Sequence, residues 1–157
     1  MKSLLLSVAL LATMSVQKVN AQDSTKAQPS QLLTTYYSLK DALVSSNAKA
    51  AAAAAEEFIN AVNAADKETV KEETRNALLK DADLIAKSKE LNKQRETFSN
   101  LSNTIYALAK TLRLSADPVY QQYCPMKKAS WLSSSKAIKN PYYGSAMLTC
   151  GSVKETL

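Results

Sequence analysis

Residues 91–112 read LNKQRETFSNLSNTIYALAKTL, and their apolar members Leu91, Phe98, Leu101, Ile105, Leu108 and Leu112 recur at three-, four- and seven-residue steps. That spacing places them on one face of an α-helix, with charged and amide side chains on the other. Ser88 is a candidate cap and Glu90 falls in the first turn, where negative charge suits the helix dipole. This is the strongest apolar stripe in the chain, and it needs other apolar faces to cover it.

Three such faces lie upstream. Leu32, Tyr36, Leu39 and Leu43 form one stripe, widened by Leu33, Tyr37 and Val44, and it should end at Ser45, Ser46 and Asn47. Asn47 can cap a second helix, in which an Ala run over 48–55 leads to Phe58, Ile59 and Val62. Ala favours helix and lets a neighbour approach closely. Ala51, Ala55, Phe58 and Val62 keep the helical period, which argues against a low-complexity linker. After a turn near Ala65 and Asp66, a third helix is expected over about Lys67 to Lys87, with Val70, Leu78, Ala82 and Ile85 inward. Four amphipathic helices with short connections predict an all-α chain, an up-and-down four-helix bundle.

The composition changes after Arg113. Pro118, Pro125, Pro141, Gly144 and Gly151 rule out long helices, and Tyr120, Tyr123, Trp131, Tyr142 and Tyr143 call for a surface to pack on. Residues 114–157 are therefore expected to form an irregular, Pro/Gly/aromatic-rich C-terminal segment of a single helical-bundle domain spanning 30–157. Arg95 should border the core with its stem buried and its head in water.

At the other end, Lys2 precedes an apolar run of thirteen residues, Leu4 to Val16, and a polar stretch ending Val19, Asn20, Ala21. That is the pattern of a secretory signal peptide over 1–21. The run is shorter than the roughly 20 residues of a membrane-spanning helix, so no anchor is expected after cleavage. Residues 22–29 read as a mobile leader, and the expected location is periplasmic or secreted. Cleavage lowers the net charge from +6 to +4, a modest and scattered excess that does not call for nucleic acid.

Histidine is absent. The commonest general base and the commonest metal ligand are both missing, no nucleophile has a recognisable base, and no glycine loop could cradle a phosphate, so an enzyme is not expected. The chemistry of the mature chain concentrates in sulfur: two Cys and two Met, clustered as Cys124-Pro125-Met126 and Met147-Leu148-Thr149-Cys150. Thiolate and thioether select soft ions such as Cu(I). Pro125 restricts the first pair, a single turn gathers the second, and Trp131 or a Tyr could cover a bound cation. The alternative is a Cys124–Cys150 disulfide, the default for two Cys in an oxidising compartment, worth about 3–4 kcal/mol by chain entropy. Met126 and Met147 would then be packing beside it, in a disulfide-stapled helical module that binds a partner in the cell envelope.

Several runs together resemble one family: Leu39-Lys40-Asp41-Ala42-Leu43-Val44, Gln94-Arg95-Glu96-Thr97-Phe98 with Leu101-Ser102, Tyr123-Cys124-Pro125-Met126, Trp131-Leu132-Ser133, and Asn140-Pro141-Tyr142-Tyr143-Gly144 with Met147-Leu148-Thr149-Cys150-Gly151. The chain resembles the domain-of-unknown-function 3347 family from about Leu32 to Leu157. Members look like exported proteins of Bacteroidota, and similar domains accompany periplasmic adaptor subunits of heavy-metal efflux pumps. The resemblance implies a periplasmic protein that binds or hands over a soft metal, copper foremost, with Cys124, Met126, Met147 and Cys150 as ligands and an efflux adaptor or other envelope protein as partner. Helix-borne His ligands, frequent in that family, have no counterpart here.

Overall fold

The computed structural model describes residues 29–157; the expected signal peptide and residues 22–28 of the expected leader lie outside them. Four helices come first: α1 (Pro29–Val44), α2 (Ala48–Ala64), α3 (Glu72–Lys87) and α4 (Leu91–Thr111). Pro29, expected as the end of the leader, opens α1, where its missing N–H costs nothing.

Each helix packs chiefly on the next, and the predicted stripes form the core. Leu32, Tyr36, Leu39 and Leu43, Ala51, Ala55, Phe58 and Val62, Leu78, Ala82 and Ile85, and Phe98, Leu101 and Ile105 are all fully buried. No helix among the described residues is long and apolar enough to cross a membrane.

Local chemistry sets the helix ends. Ser46 adopts φ 56°, and Asn47 accepts the Ala50 N–H at 2.9 Å, the expected cap of α2. Two boundaries differ from expectation. Helix α3 starts at Glu72 rather than Lys67, because the Asp66 side chain accepts the Glu68 N–H and its carbonyl those of Thr69 and Val70. The Arg75 guanidinium then closes this α2–α3 turn on the carbonyls of Val62, Ala65 and Val70. The residue that caps α4 is Glu90, while Ser88 accepts the Glu90 N–H in the turn before it.

The all-α expectation is wrong beyond α4. The segment expected to be irregular contains a three-stranded antiparallel sheet, of order β2-β1-β3, from β1 (Tyr120–Cys124), β2 (Ala129–Ser133) and β3 (Ser152–Thr156), with a 3-10 turn at Gly144–Met147. Tyr and Trp suit the pleated surface, and Lys128, at φ 55°, closes the β1–β2 hairpin by donating to the Cys124 carbonyl at 2.8 Å. The strand pattern is hidden in the sequence because one of the two buried positions of β1 is a glutamine. Gln122 is fully buried and donates to the Ser135 carbonyl at 2.8 Å.

The sheet joins the bundle through β2. The outward-facing groups of this edge strand are met by two phenols: Leu132 N–H donates to Tyr36 Oη at 3.0 Å, and Tyr142 Oη donates to the Ser130 carbonyl at 2.5 Å. Tyr36 also hydrogen-bonds Ser102 at 2.8 Å. An aromatic chain runs across the same seam, from Tyr36 stacked on Phe98, to Phe98 against Tyr142, to Tyr142 edge-on to Trp131.

Candidate metal centre

Strand pairing brings the two sulfur clusters together. Tyr123 pairs with Ser152 in the β1–β3 ladder, so Cys124, the last residue of β1, lies beside the Cys150-Gly151 step that leads into β3. Both cysteines are free, Cys124 fully buried and Cys150 partly so, and their Sγ atoms stand 3.2 Å apart.

Gly151 permits this approach. At φ 151° it occupies a region that side chains rarely adopt, and a Cβ there would meet the Trp131 ring at 2.9 Å and the Tyr123 carbonyl at 3.1 Å. Trp131 therefore packs under the Gly151 backbone and against Tyr142, rather than serving as an open face for a cation.

Asn140 organises the other wall. Fully buried, it donates its amide to the Cys150 carbonyl at 2.7 Å and accepts the N–H groups of Tyr142 and Tyr143, while its backbone N–H reaches the Leu148 carbonyl. This one side chain fixes the loop that carries Met147 and Cys150. Its importance could have been sought in the Asn-Pro dipeptide, a turn signal, but its partners lie beyond local reach.

The loop is anchored to the helices by Arg95. Its Nε donates to the Pro141 carbonyl at 2.8 Å, and its Nη2 to the Leu43 carbonyl and Ser46 Oγ, each at 2.9 Å. The guanidinium head expected in water is thus spent on three acceptors. Gly144, at φ 55°, sits against this knot, where a Cβ would meet Ser46 Oγ, Arg95 Nη2 and the Val44 carbonyl, all within 2.8 Å.

The two thiols have unequal surroundings. Burial pushes the Cys124 thiol up, but the N–H groups of Lys127 and Met126, the Cys150 thiol and the Asn140 amide stabilise its thiolate and hold it below the ordinary thiol range. Cys150, hydrogen-bonded to Cys124 and facing its charge, is raised. Of the two, Cys124 is the thiol whose ionised form its surroundings favour, and Cys150 the one whose proton they retain.

The predicted thioethers are near this pair in the chain and differ in setting. Met126 follows in the hairpin turn with its side chain 65% exposed, and its backbone N–H points toward Cys150. Met147 is half-buried, and its carbonyl accepts the Cys150 N–H at 3.0 Å, the single turn that M-x-x-C spacing predicts. The structure thus brings Cys124 and Cys150 into contact, with both Met on the adjoining turns. No group of three or more His, Cys, Asp or Glu able to hold a metal occurs among the described residues, so any ion here rests on the thiols and on sulfur or oxygen beyond that set.

No curated protein and no solved structure matches the chain. The family model described as protein of unknown function (DUF3347) matches residues 32–117. The matched region is the helical part, and it ends before β1, so the thiol pair lies outside it. Since the match spans more than half of the 157 residues, the chain belongs to the DUF3347 family.

Proposed function

We propose that this protein binds a soft metal ion, Cu(I) foremost, through the thiolates of Cys124 and Cys150, and holds it for transfer to another component of the cell envelope. The observation that carries this reading is the 3.2 Å contact between the only two cysteines of the chain.

Magnitudes favour a bent site with further donors. A metal bonded at about 2.3 Å to both sulfurs in tetrahedral geometry needs them roughly 3.8 Å apart, while a linear two-coordinate ion needs about 4.6 Å. A disulfide needs about 2.05 Å. From 3.2 Å, the bent site asks for the smallest movement, roughly half an ångström, whereas the linear site and the disulfide each ask for more than about 1 Å. A bent pair leaves coordination positions open. Met126 and Met147 are the soft donors on the adjoining turns, and the Met126 side chain is exposed.

The chain's own residues prepare the site. The N–H groups of Lys127 and Met126 and the Asn140 amide favour the ionised form of Cys124, which makes it the easier of the two thiols to deprotonate as an ion binds. The ion itself would supply exchangeable soft coordination, which permits transfer without redox chemistry at the protein.

The test is an anaerobic titration with Cu(I) in competition with a chromophoric chelator. Wild-type protein should bind one equivalent, and Cys124→Ser/Cys150→Ser should bind none while keeping its helical circular dichroism. Met126→Leu and Met147→Leu should weaken binding without abolishing it. Unchanged binding by the double serine variant ends the proposal.

A second reading, a structural disulfide in a partner-binding module, rests on the same two thiols, which would have to close by about 1 Å to form the bond. Counting thiols on protein purified without oxygen separates the two. Two reactive thiols support the metal site, and none supports the staple.

A further inference from the structure

Charge is divided unevenly along the chain. Residues 29–117, which hold all four helices, carry twelve basic and twelve acidic side chains and are neutral. Residues 118–157, which hold the sheet and both thiols, carry five lysines against one glutamate. That glutamate, Glu155, is engaged by Lys110 at 2.9 Å and by Tyr106 at 2.5 Å. Glu96 of α4 lines the cleft beside Lys127, but Arg95 lines it too. Lys136 stands over the Tyr120 ring at the far end of β1, which leaves Lys127, Lys128, Lys139 and Lys154 on the turns and strand that border the thiol pair.

Lys127 and Lys128 follow Cys124 in the hairpin turn, Lys139 precedes Asn140, and Lys154 lies four residues beyond Cys150 with its ammonium over the Tyr123 ring. Lys128, Lys139 and Lys154 are exposed. The same turn directs the N–H groups of Met126 and Lys127 at sulfur. A field of this sign repels a bare cation and draws anions inward, raising their encounter rate.

We infer that the thiol pair exchanges with anionic sulfur reagents, thiolate complexes of a soft metal and anionic disulfides, in preference to bare cations or neutral reagents. The metal half of this statement rests on the proposed function. The disulfide half does not, and the test uses both.

In the first arm, reduced protein reacts with 5,5′-dithiobis(2-nitrobenzoate), a dianion, and with neutral 4,4′-dithiodipyridine. One cysteine thiolate attacks the reagent's S–S bond, forming a mixed disulfide and expelling one aryl thiolate. The second cysteine then attacks the protein sulfur of that mixed disulfide, closing Cys124–Cys150 and expelling the other. The protein gives up two electrons and two thiol protons, and the reagent is reduced to two thiolates. The rate with the dianion should fall about tenfold from low to high salt, and by a similar factor in Lys128→Glu/Lys139→Glu/Lys154→Glu at low salt. The neutral reagent should keep its rate in both cases, which also reports that the variant is folded. The Lys→Gln triple should fall between. Equal salt response for the two reagents, or an unaffected dianion rate in the charge-reversed protein, overturns the inference.

In the second arm, Cu(I) is supplied either in excess glutathione, as an anionic complex, or as the acetonitrile cation. Salt should slow uptake from glutathione and speed uptake from the cation, and charge reversal should act in the same directions. The opposite ordering overturns the inference for metal. If wild-type protein takes Cu(I) from neither source, the metal-binding proposal falls, and the first arm alone decides whether charge selects the reagent.

Discussion

Arg95 on α4 donates to the carbonyl of Pro141 at 2.8 Å, a hydrogen bond across 46 residues of sequence that ties the helices to the loop carrying Met147 and Cys150. Together with its contacts to Leu43 and Ser46, it makes the bundle and the thiol loop one mechanical unit. Removing the head takes a donor from the Pro141 and Leu43 carbonyls and from Ser46 Oγ. Arg95→Ala is expected to lower unfolding stability by about 2–3 kcal/mol. Arg95→Lys should recover only part of this, because an ammonium cannot reproduce the planar fork. Urea midpoints check both, and a loss below about 0.5 kcal/mol for Arg95→Ala would contradict the account.

Gly151 makes a sharper test of the site. Ala at this position must either leave φ 151° or push Trp131 and the Tyr123 carbonyl away, and each outcome moves Cys150 relative to Cys124. Gly151→Ala should cost about 1–3 kcal/mol and slow closure of the Cys124–Cys150 disulfide by an added oxidant. An unaltered closure rate would mean that the close approach does not depend on this glycine.

Tyr36 links the helices to the edge of the sheet. Phe in its place would leave the Leu132 N–H without its partner and cost about 1–3 kcal/mol.

The same buried phenols set an alkaline limit on stability. Burial pushes Tyr36 and Tyr142 far above the ordinary tyrosine value and Tyr37 up to about 12. An unfolded chain loses these protons near pH ~10 while the native chain keeps them, so stability is full below about pH 10 and falls as pH rises beyond it. Denaturant midpoints measured in the Cys124→Ser/Cys150→Ser background, where thiol ionisation does not intrude, should decline above about pH 10. Tyr36→Phe should make the decline shallower. A midpoint flat through this range would contradict the burial assigned to these rings.

The sequence made the helices legible because their signal is local and repeated. Phe98, Leu101 and Ile105 fall on one face whatever lies elsewhere, and all are buried. The sheet was not legible. Its strands are five residues long, β1 reads YQQYC with a buried glutamine, and β3 is almost wholly exposed, so none shows an apolar alternation. The four sulfur residues were identifiable by type, but their meeting depends on the Tyr123–Ser152 register, a pairing of residues far apart in the chain. The role of Arg95 is hidden for a similar reason: an acceptor such as the Pro141 carbonyl, 46 residues away, leaves no trace in the sequence around the arginine.

The decisive measurement is X-ray absorption at the metal edge of the Cu(I)-loaded protein. If Cys124 and Cys150 share one ion, the spectrum contains at least two sulfur neighbours at about 2.3 Å, and that shell disappears in Cys124→Ser/Cys150→Ser. A first shell of nitrogen and oxygen alone, or a sulfur shell that survives in the double variant, would contradict that sharing.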